Sequence, residues 1–418
     1  MNLIFFAMNK KSNSSRLVAR EYVIPFILIT SLFFLWGGAR AILDVLNKHY
    51  QLILDVSKTR SALMQAVVYL AYFLGALPAG LLIRRLGTRT GVITGLLLFA
   101  VGTFLFLPAV GIGTFELILL PLFVIGCGLV LLETAANPYI TLLGSPATSA
   151  GRLNISQSFN GLGCMMGALL GGLFFFGSGS TGEGASPTSV MVPYSILAVI
   201  MLVVAACFAR VKLPEVAMER KSASGAKHRH ALKLPFYFGF IALISYEISE
   251  ISINTFFINF MTDDGFMTPT QATWALSMGG LLLFMAGRVL GGMLMTRVST
   301  QLILLVCAIG TVVCTATAMA PLGAVSKCAL IVCYVFESIM FPTIFAMSLH
   351  GLGNDTEFGS SILMTSVVGG AIGPLAMGWV GDHFSISTAL AVPFATFVIV
   401  LAFSVFSLAR SRRASLDS

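Results

Sequence analysis

The chain has 418 residues, of which 57% are hydrophobic and only 10% are charged. A soluble domain carries about 25% charged residues, so this composition excludes an ordinary soluble enzyme. The net charge of +8 does not indicate nucleic-acid binding, because most Lys and Arg residues lie in short loops between long apolar runs. The seven cysteines include no C-x-x-C pair, so we predict neither a disulfide framework nor a zinc site.

Twelve apolar runs are long enough to span a bilayer, which takes about 17–25 residues each. They predict an all-α integral membrane protein with spans at 22–47, 61–83, 90–111, 114–137, 153–177, 190–210, 235–261, 271–295, 300–320, 327–349, 359–381 and 387–409. The loops on the side of the termini carry 19 Lys and Arg residues, and the loops on the other side carry 4. By the positive-inside rule, this bias predicts that both termini are cytoplasmic.

The stretch 211–234 is basic, is the longest polar segment between spans, and divides them six and six. The two sets each carry a Gly/Arg element, GLLIRRLGTR at 80–89 and GRVLGGMLMTR at 287–297, which is typical of parallel repeats. We therefore predict cytoplasmic tails at 1–21 and 410–418, a basic linker at 211–234, and six-helix bundles at 22–210 and 235–409.

The first span places Trp36, Arg40 and Asp44 on one face, because they lie four residues apart. Ionisable groups deep in an apolar run are costly, so they indicate function. We interpret this face as a binding wall, with an indole that stacks on a sugar ring and a charged pair below it. The alternative is that Arg40 and Asp44 only neutralise each other near the outer end of the helix.

The second and fifth spans carry uncharged polar groups at helical spacing. We interpret Gln65, Tyr69 and Tyr72 of the second span as packing or interface residues. The amides of Gln157 and Asn160 in the fifth span offer the paired donors and acceptors that sugar hydroxyls require. The alternative for these two amides is hydrogen bonding between helices.

The fourth span ends with a carboxyl group and an amide one turn apart, Glu133 and Asn137. A charged side chain at the centre of a membrane helix costs roughly 2.5–3.5 kcal/mol or more, so burial favours the neutral acid. A proton carrier requires this property, although Glu133 as a solvated helix-end residue is the alternative. Pro138 follows and is expected to end or kink the helix.

The second half carries two further candidate groups. Tyr246, Glu250 and Asn254 share one face of the seventh span. Glu337 is a lone carboxyl group in the tenth span, and its alternative role is an ion pair with Arg288.

Several segments, in order along the chain, are similar to a known family. They are FFLW…D at 33–44, ETAANPYITLLG at 133–144, RLN-x-x-Q-x-FN at 152–160, E-x-S-I-x-x-F at 250–256, GR-x-x-G at 287–291 and SIMFPTIF…GLG…GSS at 338–361. Together they resemble the fucose–galactose–glucose:proton symporter family of the major facilitator superfamily.

The resemblance implies twelve helices in two six-helix repeats and proton-coupled sugar transport. It also implies that Asp44 and Glu133 couple protons, and that Trp36, Gln157 and Asn160 contact the sugar. The L-fucose members carry asparagines where this chain has Arg40 and Leu43. An arginine one turn from Asp44 favours the ionised carboxylate, which leaves Glu133 as the expected main proton carrier.

We predict a secondary active transporter, not an enzyme, that imports a monosaccharide (L-fucose, galactose or glucose-like) by proton symport with alternating access. An uncoupled or differently coupled carrier for a polyol or sugar acid is the alternative, and Arg40 favours it because guanidinium pairs well with carboxylates. A sensor or membrane enzyme is disfavoured, because no loop is long enough for an output domain and no catalytic spacing occurs.

The expected partners are a small sugar and the lipid bilayer, with no nucleic acid, no metal and no cofactor beyond the coupling proton. We expect a functional monomer in the bacterial inner membrane. The predicted proton-coupling residues are Glu133 and Asp44, and the predicted substrate-binding residues are Trp36, Arg40, Asn137, Gln157, Asn160, Tyr246, Glu250, Asn254 and Glu337.

Overall fold

The computed structural model describes residues 18, 20–144, 149–177, 187–211, 213, 234–295, 297–350, 352, 359 and 362–416. Within them, twelve helices are long and apolar enough to cross a membrane, as predicted. They are α1 (Arg20–Leu54), α2 (Lys58–Leu86), α3 (Thr88–Ile112), α4 (Phe115–Leu142), α5 (Gly151–Phe176), α6 (Met191–Arg210), α7 (Leu234–Thr262), α8 (Pro269–Leu294), α9 (Thr300–Met319), α10 (Ala324–Leu349), α11 (Ile362–His383) and α12 (Ile386–Arg412). The predicted tail 1–21 and linker 211–234 lie largely outside the described residues and stay predictions.

Two helices extend well beyond the expected limits. The first span continues beyond residue 47 to Leu54. Pro138 was expected to end or kink its helix, and it does not end it, since α4 continues through this residue to Leu142. A proline removes one backbone N–H donor, and a membrane helix tolerates that loss where neighbouring groups satisfy the freed carbonyl oxygen.

Helix pairing repeats between the two halves of the chain. In the first half, α1 packs on α5, α3 packs on α4 and α6, and α2 packs on α4. The same pairs recur six helices later, where α7 packs on α11, α9 packs on α10 and α12, and α8 packs on α10. This correspondence is that of two parallel repeats.

Glycines allow a close approach of two helix backbones in each half. A Cβ atom on Gly163 of α5 would lie 2.1 Å from the Phe34 carbonyl oxygen of α1. The equivalent pair in the second half is α7 and α11, where a Cβ on Gly373 would lie 2.5 Å from the Ile248 carbonyl oxygen. Only glycine permits these backbone approaches, so the small residues of α5 and α11 build the same interface twice.

The membrane domain has two faces. Because successive spans alternate in direction, residues 20 and 412 lie on one face, which we call the terminal face. The loops after α1, α3, α5, α7, α9 and α11 lie on the other, which we call the opposite face.

The hydrogen bonds that join the halves begin near the middle of the helices and continue to the opposite face. Between α1 and α7, Asn47 Nδ2 donates to the Thr255 carbonyl oxygen at 2.9 Å, and Asn259 Nδ2 donates to Gln51 Oε1 at 2.5 Å. Between α8 and α5, Ser277 Oγ donates to the Met165 carbonyl oxygen at 2.7 Å.

The end of α11 closes on the start of α2 at the opposite face. The Asp382 carboxylate accepts the backbone N–H of Lys58 at 2.7 Å and of Thr59 at 2.8 Å, and the Thr59 hydroxyl at 2.6 Å. Lys58 Nζ also donates to the Gly381 carbonyl oxygen at 3.1 Å. A carboxylate that accepts free N–H groups in the first turn of a helix is favoured by the helix dipole. We call this contact the α2–α11 clasp.

Candidate substrate and proton site

In the first half, α1, α2 and α4 bring three ionisable groups together, and each one bonds a neutral partner. Arg40 Nη2 donates to the Tyr69 hydroxyl at 2.6 Å. Gln65 Nε2 donates to Asp44 Oδ1 at 2.6 Å. The Tyr72 hydroxyl donates to Glu133 Oε1 at 2.7 Å. These three contacts, which we call the paired acid cluster, all depend on side chains of α2.

Arg40 and Asp44 do not form the charged pair suggested by their spacing. No ion pair joins them within the described part of the chain, because the guanidinium turns to Tyr69 and the carboxylate turns to Gln65. The charge of Arg40 nevertheless acts on both Asp44 and Glu133. Arg40 is therefore the cation of the paired acid cluster, beside the two acids that the family resemblance assigns to proton coupling.

The amides of α4 and α5 line the same half. Asn137 is half-buried, and its Oδ1 atom is buried with no partner among the described residues. Asn160 Nδ2 donates to the Phe33 carbonyl oxygen at 3.0 Å, which anchors it to α1. Gln157 is half-buried on the preceding turn. Asn160 therefore holds two helices together, and Asn137 retains an unused acceptor.

Trp36 is only 2% exposed in this conformation. Its ring packs against Phe33, with 4.2 Å between the ring centroids. Stacking of the indole on a sugar therefore stays a prediction, and it requires a movement that uncovers the ring.

In the second half, α7 and α10 contribute the predicted polar groups. The Tyr334 hydroxyl donates to Asn254 Oδ1 at 2.7 Å. The Tyr246 hydroxyl donates to the backbone carbonyl oxygen of Glu337 at 3.1 Å, so it has a structural partner. Glu250 is half-buried on α7.

The interruption of α10 has a clear cause. The helix stops at Glu337 and resumes at Met340, two residues before Pro342. Pro342 has no N–H to offer the Ser338 carbonyl oxygen one turn earlier, and Arg288 Nε donates to that oxygen at 3.2 Å instead. Arg288 thus has a role in the backbone of α10, and within the described chain it forms no ion pair with Glu337.

Glycines of α11 bring the two clusters side by side. A Cβ atom on Gly370 would lie 2.6 Å from the Tyr69 ring, and one on Gly369 would lie 2.9 Å from Glu247 Cβ. The Arg40–Tyr69 contact of the first half therefore lies beside an acidic face of α7.

The structure gives larger roles to several residues than the sequence interpretation did. Gln65, Tyr69 and Tyr72 were interpreted as packing residues, yet they are the hydrogen-bond partners of the paired acid cluster. Their spacing on one helical face was the available signal. Tyr334 was not singled out, because a single tyrosine in an apolar helix has no distinguishing pattern. Among the described residues, no group of three or more His, Cys, Asp or Glu is placed to hold a metal ion.

Two six-helix repeats with ionisable groups between them are the arrangement of a secondary transporter. The chain matches the family model described as Major Facilitator Superfamily over residues 26–366, and it belongs to that superfamily, whose members are transporters rather than enzymes.

Two similar proteins define the family of this chain within the superfamily. It is 34% identical over 385 residues to the glucose/galactose transporter of Brucella abortus biovar 1 (strain 9-941), covering 90% of this chain and 92% of that protein. It is 33% identical over 413 residues to the L-fucose-proton symporter of Escherichia coli (strain K12), covering 93% and 94%. The predicted resemblance is thereby confirmed.

A solved structure agrees. The Major Facilitator Superfamily transporter FucP, in its outward conformation, is 31% identical and has a TM-score of 0.68, covering 93% of this chain and 99% of that one. With twelve spans and these relatives, the chain is a multi-pass protein of the bacterial inner membrane.

Proposed function

We propose that this chain imports a monosaccharide of the L-fucose, galactose or glucose type together with a proton. The observation that carries the proposal is the paired acid cluster, in which Asp44 and Glu133 each accept a hydrogen bond from a neutral donor. An acid held this way gains or loses a proton without breaking an ion pair. The printed names of the two relatives, a glucose/galactose transporter and an L-fucose-proton symporter, support the substrate class.

In this proposal, Glu133 is the main proton carrier, and Arg40 offsets the charge of Asp44 throughout the cycle. The sugar contacts the half-buried amides of Asn137 and Gln157 on one side and Glu250 with Asn254 on the other. The remaining proposed sugar contacts must first be released from their present packing or hydrogen bonds, and they are Trp36, Arg40, Asn160, Tyr246 and Glu337.

We further propose that the terminal face is cytoplasmic, as the Lys and Arg distribution predicts. The bonds between the halves, from mid-membrane to the α2–α11 clasp, then close the exterior side. Transport requires these bonds to break, so that the halves rock about the central site. No contact in the proposal involves a second copy, so the monomer is the proposed functional unit.

The test is sugar-induced proton uptake in cells that express the protein. External pH is followed in weak buffer as L-fucose, D-galactose, D-glucose, D-mannose and a sugar acid are added in turn. Alkalinisation with a neutral sugar supports the proposal. Alkalinisation with the sugar acid alone would instead favour a carboxylate solute that pairs with Arg40, and silence with every solute despite protein in the membrane would contradict proton symport.

A further inference from the structure

Glu337 of α10 differs from every acid in the paired acid cluster. Its side chain is 0% exposed, and neither carboxyl oxygen has a hydrogen-bond partner among the described residues. Asp44 and Glu133, in contrast, each accept a hydrogen bond from a side chain. A buried carboxyl group with no donors is in an environment that suits the neutral acid.

The free energy of burial decides which form is present. An ionised carboxylate without a partner is far more costly in an apolar interior than a neutral acid, which has lost only its hydrogen bonds to water. Arg288 of the neighbouring helix α8 donates its Nε–H to the Ser338 carbonyl oxygen and lies over the Phe284 ring, 4.7 Å from its centroid. Glu337 therefore holds a proton in this conformation.

The groups around Glu337 reinforce this assignment. The titratable and charged residues that face it from the packed helices are Tyr246 and Glu250 on α7, Arg288 on α8, Cys314 on α9, and Cys333 and Tyr334 on α10 itself. The tyrosines and cysteines are neutral near pH 7, and Glu250 is a second carboxyl group rather than a cation. Two nearby carboxylates would repel each other, so within this set only Arg288 could favour an ionised Glu337.

Glu337 also lies at a place where α10 can bend. The helix stops at this residue and resumes at Met340, and Pro342 prevents the regular bonding pattern across the gap. One turn before Glu337, the Tyr334 hydroxyl binds Asn254, one turn from Glu250 on α7. The interruption of α10 therefore lies close to a contact with α7, the helix that carries the half-buried Glu250.

Building on the proposed sugar–proton symport, we propose that Glu337 is a second proton-binding residue of the transport cycle. Its carboxylate takes a proton from exterior water before the opposite face closes. It holds the proton in the conformation described here. When α10 bends at the interruption, the O–H bond of the acid breaks and the proton passes to water on the terminal face. Two protons then accompany each sugar, one on Glu133 and one on Glu337.

Infrared spectroscopy of the purified protein at neutral pH tests the protonation state without any substrate. The wild type is expected to show the C=O stretch of a buried protonated carboxyl group, and Glu337→Gln is expected to lose that band. Glu133→Gln serves as the matched control and keeps the band assigned to Glu337. A band of full intensity in Glu337→Gln would overturn the inference.

Sugar accumulation in reconstituted vesicles tests whether Glu337 takes up and releases a proton in each transport cycle. One coupled proton is worth a tenfold accumulation ratio at a proton-motive force of about 59 mV. With L-fucose, D-galactose and D-glucose in turn, Glu337→Gln is expected to lower the steady-state ratio about tenfold at that force. Glu337→Met, which suits the apolar surroundings, replaces it if the glutamine variant does not fold.

The outcomes separate the two proposals. Wild-type vesicles that accumulate none of the sugars would contradict the symport itself, and with it any cycling of Glu337. Wild-type accumulation with an unchanged ratio in Glu337→Gln would show that Glu337 stays protonated throughout, which overturns its part in the cycle and leaves the symport intact.

Discussion

The acids of the two halves differ in their hydrogen-bond partners. In the first half, Asp44 and Glu133 are each bonded to an uncharged donor on α2, and Arg40 supplies a shared positive charge. In the second half, Glu337 is buried without a donor. An acid with a neutral donor can exist in either protonation state, whereas an acid without one is held in the neutral state. The two repeats therefore differ: the first holds acids that can gain or lose a proton in place, whereas Glu337 in the second must first be moved into a different environment.

Removal of Arg40 should have the largest effect on this comparison. Arg40→Gln leaves the first-half acids without their counter-charge, so we expect uptake at pH 7 to fall at least tenfold, with partial recovery at acidic pH as the acids become neutral. Initial rates of labelled sugar uptake across a pH series measure the effect. Arg40→Lys keeps the charge but loses the planar fork, and it should lie between the wild type and Arg40→Gln. Equal rates in all three proteins would refute the counter-charge role.

The α2–α11 clasp should matter less for coupling than for rate. Asp382→Asn removes the charge that accepts three donors from Lys58 and Thr59, so the closed opposite face loses stability and uptake should slow several-fold at an unchanged proton-to-sugar ratio.

A matched control lies at the same face. Glu116→Gln breaks the Arg60–Glu116 ion pair, which joins α2 to α4 within the first half and should leave uptake unchanged. Equal slowing in both variants, measured as initial rates under an imposed proton gradient, would show that the clasp has no special role in closure.

A smaller effect is expected from the donor to Glu133. Tyr72→Phe removes the hydroxyl that favours the Glu133 carboxylate, so release of its proton should require a more alkaline medium by about one pH unit. The pH profile of sugar exchange measures this shift. Tyr50→Phe is the control, since the buried Tyr50 hydroxyl has no partner among the described residues. A profile that stays in place in Tyr72→Phe would mean that this hydrogen bond does not influence proton release.

Hydropathy and charge were sufficient to predict the fold. Spans could be located because the apolar runs of this chain are long and its charges fall between them. Pro138 does not end α4, because a membrane helix tolerates an internal proline when neighbouring groups satisfy the freed carbonyl oxygen, which the local rule for proline does not include. The proline that does accompany an interruption, Pro342, has its effect in α10, where the Arg288 side chain of another helix satisfies the free carbonyl group.

The sequence locates the ionisable groups of the candidate site but not their hydrogen-bond partners. Asp44 and Glu133 stand out because charge in an apolar run is rare. Spacing alone suggested that Arg40 would pair with Asp44, whereas α2 offers both residues closer neutral partners, Tyr69 and Gln65. Hydrogen-bond partners on different helices are set by how the helices pack, and the spacing of residues along one helix does not reveal that packing. The closed state of the opposite face could not be predicted from the sequence either, because the same sequence must adopt one conformation in which that face is open and one in which it is closed.

The most direct test of the central claim compares net accumulation and exchange of the same sugar in vesicles that contain the wild type or Glu133→Gln. If Glu133 carries a coupled proton, the variant should reach a steady-state sugar ratio about tenfold below that of the wild type at a proton-motive force of about 59 mV, while it still exchanges labelled for unlabelled sugar. Accumulation by Glu133→Gln to the wild-type level would contradict the claim and move the main proton role to Asp44 or to the acids of the second half.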